Sequence, residues 1–138
     1  MRINKFILMV LIILSLFSCT KTYEPLNIEI ISEESNLVNV EENDGYAIYH
    51  CNVTLVNNTS DVRHFKLEGM FTNEFEKDIL EREKCFATTD EGNEIIRIDP
   101  NGSIDNLNIV FKIKLKDNYN GVTLKEDRLL PHINIIEQ

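Results

Sequence analysis

Residues 107–115 read LNIVFKIKL, and apolar side chains occupy every second position of this stretch. Because successive side chains of a strand point to opposite faces, the spacing predicts a strand with one core face and one solvent face. Strands of this kind are typical of antiparallel sheets. The alternating apolar positions are Leu107, Ile109, Phe111, Ile113 and Leu115.

Alternation also occurs before it, over residues 26–30, 47–55 and 65–69, and two shorter apolar stretches complete the set. We predict further strands over residues 26–30, 47–55, 65–69, 95–98 and 133–136. The segments between them, such as 42–45 and 99–103, are rich in Asn, Asp and Gly, which are typical of turns. About seven short strands without a convincing helix predict an all-β fold, a single β-sandwich over residues 26–138.

Residues 73–84 do not follow the alternation. Phe75 and Ile79 are four positions apart, which is a helical spacing, and charged side chains are dense around them. A helical turn or two across one end of the sandwich is compatible with this pattern. An extended edge strand with a charged face is equally compatible, and the sequence leaves both open.

The amino terminus has the pattern of an export signal. Arg2 and Lys5 precede the apolar residues 6–17, which would span about 18 Å as a helix at 1.5 Å per residue. This length is well short of the roughly 30 Å hydrocarbon core of a bilayer. The pattern therefore favours a cleaved signal peptide over residues 1–18, rather than a membrane-spanning helix or a buried helix of the domain.

The end of this segment, Leu16-Phe17-Ser18-Cys19, resembles the lipobox of bacterial lipoproteins. The resemblance implies cleavage between Ser18 and Cys19, a diacylglyceryl thioether on Cys19, and a fatty acyl chain such as palmitate on the new amino group. Two or more chains anchor a protein stably, because each buried CH₂ contributes about 0.8 kcal/mol. Cleavage by an ordinary signal peptidase, which would release a secreted protein, is the alternative.

The residues after the lipobox extend the resemblance. Residues 19–25 would be the lipidated cysteine and a short tether. Thr20 stands where an aspartate would imply retention at the inner membrane. The resemblance therefore implies a cell-envelope protein of the outer membrane or cell surface, with its domain in the periplasm or outside the cell.

The remaining sequence resembles the small immunoglobulin-like domains of exported bacterial lipoproteins. Residues 53–59 have the pattern of a strand followed by a turn, and residues 64–71 that of the next strand. Antibody domains share a tryptophan and a disulfide that joins their two sheets, whereas this chain has no tryptophan. The resemblance implies a fold and carries no function with it.

The charge of the chain limits its partners. The full sequence has a net charge of −9, and removal of residues 1–18 leaves 12 Lys and Arg against 23 Asp and Glu, or −11. Such a surface repels phosphate backbones and anionic lipid head groups. We therefore expect no binding of nucleic acid, and a protein partner in the envelope would be favoured if it were basic.

Two cysteines, Cys51 and Cys85, remain in the domain. An exported protein can form a disulfide, and this one would close a loop of about 34 residues and contribute about 3–4 kcal/mol. Two free, buried thiols are the alternative, since cysteine also packs as a small apolar residue.

The sequence contains no recognisable catalytic or metal-binding motif. The histidines His50, His64 and His132 have no ligand spacing, and His50 and Cys51 are neighbours that would point to opposite faces of a strand. No serine lies in a nucleophile elbow and no glycine-rich phosphate loop is present. We expect no enzyme, no cofactor and no metal, although Cys85 with a histidine would be the one candidate pair.

These observations predict a lipid-anchored, non-catalytic envelope protein that presents an acidic β-sandwich, by a sheet face or an exposed edge strand, for protein or ligand binding. The alternative is an inhibitor or immunity-type lipoprotein that neutralises a cationic envelope enzyme. For that alternative, the acidic stretch Glu74–Glu83 is the expected contact.

Overall fold

The computed structural model describes residues 27–121 and 129–138 of the chain. The predicted signal peptide, Ser18, Cys19 and the tether lie outside the described residues. No helix within the described ranges is long and apolar enough to cross a membrane. The strands of this part are β1 (Ile28–Ile30), β2 (Asn36–Asn43), β3 (Tyr46–Asn57), β4 (Arg63–Met70), β5 (Lys84–Phe86), β6 (Thr88–Thr89), β7 (Ile96–Ile98), β8 (Ser103–Lys114) and β9 (His132–Glu137).

The strands form two antiparallel sheets that pack against each other. In sheet A, β3 pairs with β8 along most of its length, β6 pairs with β8, and β2 and β1 pair with successive parts of β3. In sheet B, β4 is central and pairs with β9, β5 and β7. The predicted all-β sandwich is confirmed, with nine strands in the described residues rather than about seven.

The two long strands of sheet A follow the predicted alternation. Along β3, the side chains from Ala47 to Leu55 that were assigned to the core are buried, and Ile48, His50 and Asn52 between them are partly exposed. Along β8, Ile109, Phe111 and Ile113 are buried. The packing of the sheets is driven by the removal of these apolar side chains from water, which stabilises the fold by about 25 cal/mol for each Å² of apolar surface buried.

A cluster of aromatic rings joins the two sheets. Phe71 follows β4 in sheet B, and its ring centroid lies 4.6 Å from that of Tyr49 and 5.6 Å from that of Phe111, both in sheet A. Gly69 of β4 makes room for these rings. A Cβ atom at Gly69 would lie 2.7 Å from the ring of Phe111 and 2.9 Å from that of Phe71.

A tight hairpin joins β2 and β3. Its central residues, Asp44 and Gly45, have φ angles of 52° and 78°, the positive values that a two-residue type I′ turn requires. The sequence predicted the turn but missed strand β2. A register shift between Leu37 and Asn39 interrupts its alternation and leaves Val38 61% exposed.

Residues 73–84, for which a helix and an edge strand were both open, contain a short helix, α1 (Glu74–Ile79). Asn73 caps it, because its Oδ1 accepts a hydrogen bond of 2.7 Å from the N–H of Glu76. The packed face is Glu76 and Ile79, whereas Phe75 is 40% exposed. The helix is therefore the structure formed here, and strand β5 begins only at Lys84, the last residue of the region.

Candidate functional site

The edge of strand β8 is covered along only part of its length. On the side away from β3, β6 pairs with Ile109 and Val110 alone. Within the described ranges, residues 103–108 therefore have a neighbouring strand on one side only, which is β3. A free strand edge presents N–H and C=O groups to which another chain can pair.

The carboxyl-terminal half of the same edge is closed by the segment that contains α1 and β5. The N–H of Glu81 donates to the carbonyl of Lys114, and the N–H of Lys116 donates to the carbonyl of Ile79. The carboxylate of Glu81 also lies 2.8 Å from Lys114 Nζ, and this hydrogen bond raises the pKa of the lysine. Since β6 and this segment cover the later part of the edge, the open part is residues 103–108.

A cleft lies beside this open edge. It has a volume of about 460 Å³ and runs between residues 104–108 of β8 and the connection from β6 to β7. We call it the β8 cleft. Its volume falls within the range of about 300–1,000 Å³ that small-ligand sites occupy.

The β8 cleft has apolar residues along its walls. Ile104 and Leu107 belong to β8 and are partly buried, and Ile96 at the start of β7 is 5% exposed. Ile95 stands just before β7 and is 51% exposed, although it is a large apolar side chain. A ligand that covered Ile95 would gain the free energy of removing this surface from water.

Carboxylates surround the apolar residues of the cleft. Asp90, Glu91 and Asp105 line it, and Arg97 is the basic residue in its lining. Arg97 is already paired, since its Nη2 lies 2.7 Å from a carboxylate oxygen of Asp99. The cleft therefore has an acidic rim that can attract a cationic group.

A hydrogen-bonded row of polar side chains fixes one wall of the cleft. Asn52 Nδ2 donates to Asn108 Oδ1 at 3.0 Å, and Asn108 Nδ2 donates to a carboxylate oxygen of Asp90 at 3.1 Å. Because Asn52 and Asn108 project from the outer face of sheet A, Asp90 also lies on that side. Asp90 thus lies on the opposite side of the free edge from Ile104 and Leu107, which pack against the core.

A bulge interrupts β8 in the middle of the open edge. The register shift falls between the partners Leu107 and Ile104, and Asn106 has a φ of 55°. The N–H of Asn106 donates to Thr54 Oγ1, and its carbonyl accepts from Asn52 Nδ2, each at 3.3 Å. These groups are bonded towards β3, away from the cleft.

The three histidines lie on three different strands, β3, β4 and β9. His50 Nε2 lies 3.1 Å from Glu41 on the outer face of sheet A, whereas His64 and His132 are exposed residues of sheet B. No group of three or more His, Cys, Asp or Glu side chains suited to a metal occurs among residues 27–121 and 129–138.

Both cysteines are free thiols in the structure. Cys51 is buried opposite Ile109 in sheet A, and Cys85 pairs with Gly69 in sheet B. Burial raises the pKa of Cys51 to about 12. Burial likewise dominates at Cys85 and raises its pKa to about 12, although a hydrogen bond with the backbone of Lys112 partly opposes the rise. Neither cysteine is the activated thiolate that a catalytic pair with a histidine would need.

We expect the folded protein to resist thiol-specific reagents. At about pH 8, Cys51 and Cys85 should remain unlabelled, and both should react after unfolding in urea without reductant. The free energy of unfolding should fall as the pH rises above 9.0, because the unfolded thiols ionise there while the folded ones ionise near 12. Labelling that needs a reductant as well as urea would instead establish the Cys51–Cys85 bridge.

Three acids of the stretch Glu74–Glu83 are buried or paired within the domain, whereas Glu74 and Asp78 are exposed. Glu76 is 6% exposed, Glu81 pairs with Lys114, and Glu83 lies 3.8 Å from Lys77. A segment of the chain without basic residues contains β1 and β2, which form one edge of sheet A. Residues 27–62 contain no lysine or arginine, and their acids are Glu29, Glu33, Glu34, Glu41, Glu42, Asp44 and Asp61.

The sequence predicted the strand that forms the cleft, but not the cleft. Alternation predicted a strand over residues 107–115, whereas β8 begins at Ser103. Residues 104–106 of the cleft therefore lay outside the predicted strand. The available signal was Asn106, since Asn is among the few residues other than glycine that readily adopt the positive φ found at this bulge. No family model matches the chain, and neither a curated protein nor a solved structure is significantly similar to it.

Proposed function

We propose that the chain is a lipid-anchored, non-catalytic protein of the cell envelope that binds a partner through the β8 cleft. The observation that carries the proposal is the open edge at residues 103–108, which lies beside exposed Ile95 and an acidic rim. The lipobox-like residues Leu16–Cys19 support the anchor. The tether would leave the domain free to meet a partner near the membrane.

A photo-crosslinking residue tests the binding site in cells. Placed at Ile95, it should give a discrete crosslinked product of higher mass than the protein itself. The matched control is Val38, which is 61% exposed on β2, at a distance from the cleft, and should give no such product. Crosslinks at neither position, or at Val38 alone, would contradict binding at the β8 cleft.

The anchor is tested by the intact mass of protein extracted from membranes. We expect the mass of residues 19–138 plus acyl groups, and Cys19→Ala should move the protein from the membrane to the soluble fraction. Ser15→Ala is a control in the same segment that leaves the lipobox unchanged. An unlipidated mass for the natural sequence would mean that the protein is cleaved by ordinary signal peptidase and released.

A second candidate function is inhibition of a cationic envelope enzyme. The acidic β1–β2 edge favours it, because residues 27–62 contribute no Lys or Arg and would attract a basic surface. Charge-driven inhibition should collapse as ionic strength rises, since the Debye length shortens from about 10 Å at 0.1 M to about 3 Å at 1 M. Binding at the β8 cleft should be weakened by salt only in part, because contacts with its apolar residues do not depend on ionic strength in this way.

A further inference from the structure

We propose that the β8 cleft binds an extended peptide segment with alternating basic and apolar residues, which adds to sheet A as a strand beside residues 103–108. This inference rests on the proposed function, because it names the chemistry of the partner for the same cleft.

The open edge favours an extended main chain over a folded surface. Residues 103–108 have β3 on one side and no strand on the other within the described ranges. Because of the bulge they lie opposite only five residues of β3, positions 52–56, so at 3.3–3.4 Å per residue they extend over about 17 Å and match a peptide of about five residues. A peptide in this place would continue the sheet where β6 ends at Thr89.

The two sides of the cleft select alternate side chains of such a peptide. In an added strand, successive side chains point to opposite faces of the sheet. On the inner side they would meet Ile104, Leu107 and Ile96, and on the outer side they would approach Asp90, whose position is fixed by Asn108. An apolar residue inward and a basic residue outward therefore suit the two faces.

The charge of the cleft selects basic over acidic partners. Asp90, Glu91 and Asp105 stand against Arg97, which Asp99 already neutralises. An acidic peptide would meet like charges without compensation. A basic peptide would form ion pairs at the rim, each contributing the modest amount typical of exposed pairs.

The test uses one synthetic probe and two methylated versions of it. The probe is fluorescein-labelled Lys-Val-Lys-Val-Lys-Val amide, and its binding to the purified domain is followed by fluorescence anisotropy at low ionic strength. In the first version the odd residues carry N-methyl groups, and in the second the even residues do. Only one alternating set of N–H groups faces β8, so one version should lose at least tenfold in affinity and the other should bind nearly as the parent does.

Charge variants show whether the probe occupies this cleft. Asp90→Asn, which keeps an acceptor for Asn108, and Asp105→Asn should each weaken binding about two- to fivefold. Glu42→Gln, at the opposite edge of sheet A, is the matched control and should leave binding unchanged. An acidic probe, Glu-Val-Glu-Val-Glu-Val amide, should not bind.

Each contrary result overturns the inference. Equal effects of both methylated versions would mean attraction by charge without strand pairing, and no binding of the parent probe would mean that the acids guard the edge against pairing. A concentration-dependent dimer that the probe does not disrupt would assign the edge to a second copy of the chain. A crosslink at Ile95 together with any of these results would leave the binding function intact and reject only this partner.

Discussion

Asn57→Ala should lower the free energy of unfolding by about 3–5 kcal/mol, because it removes a buried polar hub. The Asn57 side chain is fully buried at the end of β3. Its Nδ2 donates to the carbonyls of Asp61 and Asp99 at 2.8 and 2.9 Å. Its Oδ1 accepts from the N–H and the hydroxyl of Thr59 at 3.0 and 2.7 Å.

The size of this effect follows from the partners left behind. In the alanine variant four hydrogen bonds are lost, each contributing about 0.5–1.5 kcal/mol, and two of them are the buried bonds from the N–H and the hydroxyl of Thr59. Such a loss is a large part of the roughly 5–15 kcal/mol that stabilises a typical domain. Urea denaturation of the wild type and the variant measures it.

Asn52→Ala is the matched control for Asn57→Ala. Asn52 lies on the same strand and also makes two side-chain hydrogen bonds, but it is partly exposed and water can replace its partners. We expect a loss below about 1 kcal/mol. Equal losses for the two variants would contradict the assignment of Asn57 as a hub.

Gly69→Val should destabilise the domain by about 3 kcal/mol, at the upper end of the range for overpacked cores. The new Cβ would lie 2.7 Å from Phe111 Cε1 and 2.9 Å from Phe71 Cε2, closer than van der Waals contact allows. Both rings are fully buried and pack on each other edge to face, so neither can turn aside without opening the core. Thermal unfolding should show a clearly lower midpoint.

A smaller side chain at position 71 should reduce the clash that a valine at position 69 produces. In the Phe71→Leu background, Gly69→Val should cost less than it does in the wild type, and the difference in a double-mutant cycle measures the contact. Gly45→Ala is a control for the loss of glycine itself, because a Cβ there meets no atom within 4 Å, although the positive φ makes it mildly strained. Strictly additive losses at positions 69 and 71 would refute a clash with Phe71 and would leave Phe111 as the cause of the loss.

The sequence could predict the sheets where one face is buried along a whole strand. Strands β3, β4 and β8 alternate without a break over their central parts, and their core faces are the ones that alternation indicated. It could not predict β2, because the bulge beside Val38 shifts the alternation and only Val40 of this strand is buried. Strands β5 and β6 are too short for a period to be visible.

The candidate site was beyond the sequence for a different reason. Its residues come from two segments, around Asp90–Ile95 and Ile104–Asn108, which a turn signal separates and tertiary packing brings together. Their individual signals are ordinary, since Asp and Asn are typical of turns and an exposed Ile is common. Only the short length of β6 leaves the edge open, and the length of a two-residue strand is set by packing.

The pairing of β4 with β9 limits how fast the domain can complete its fold. Leu67 lies opposite Ile135, so β4 pairs with a strand that is distant in the sequence, and we expect this pairing to form late. All-β folds with such distant contacts fold in milliseconds to seconds, whereas the β2–β3 hairpin can close within microseconds. During this delay one side of β4 is unprotected and can pair with another chain. A chaperone that shields a lone strand would therefore raise the yield of native protein, most of all at high expression.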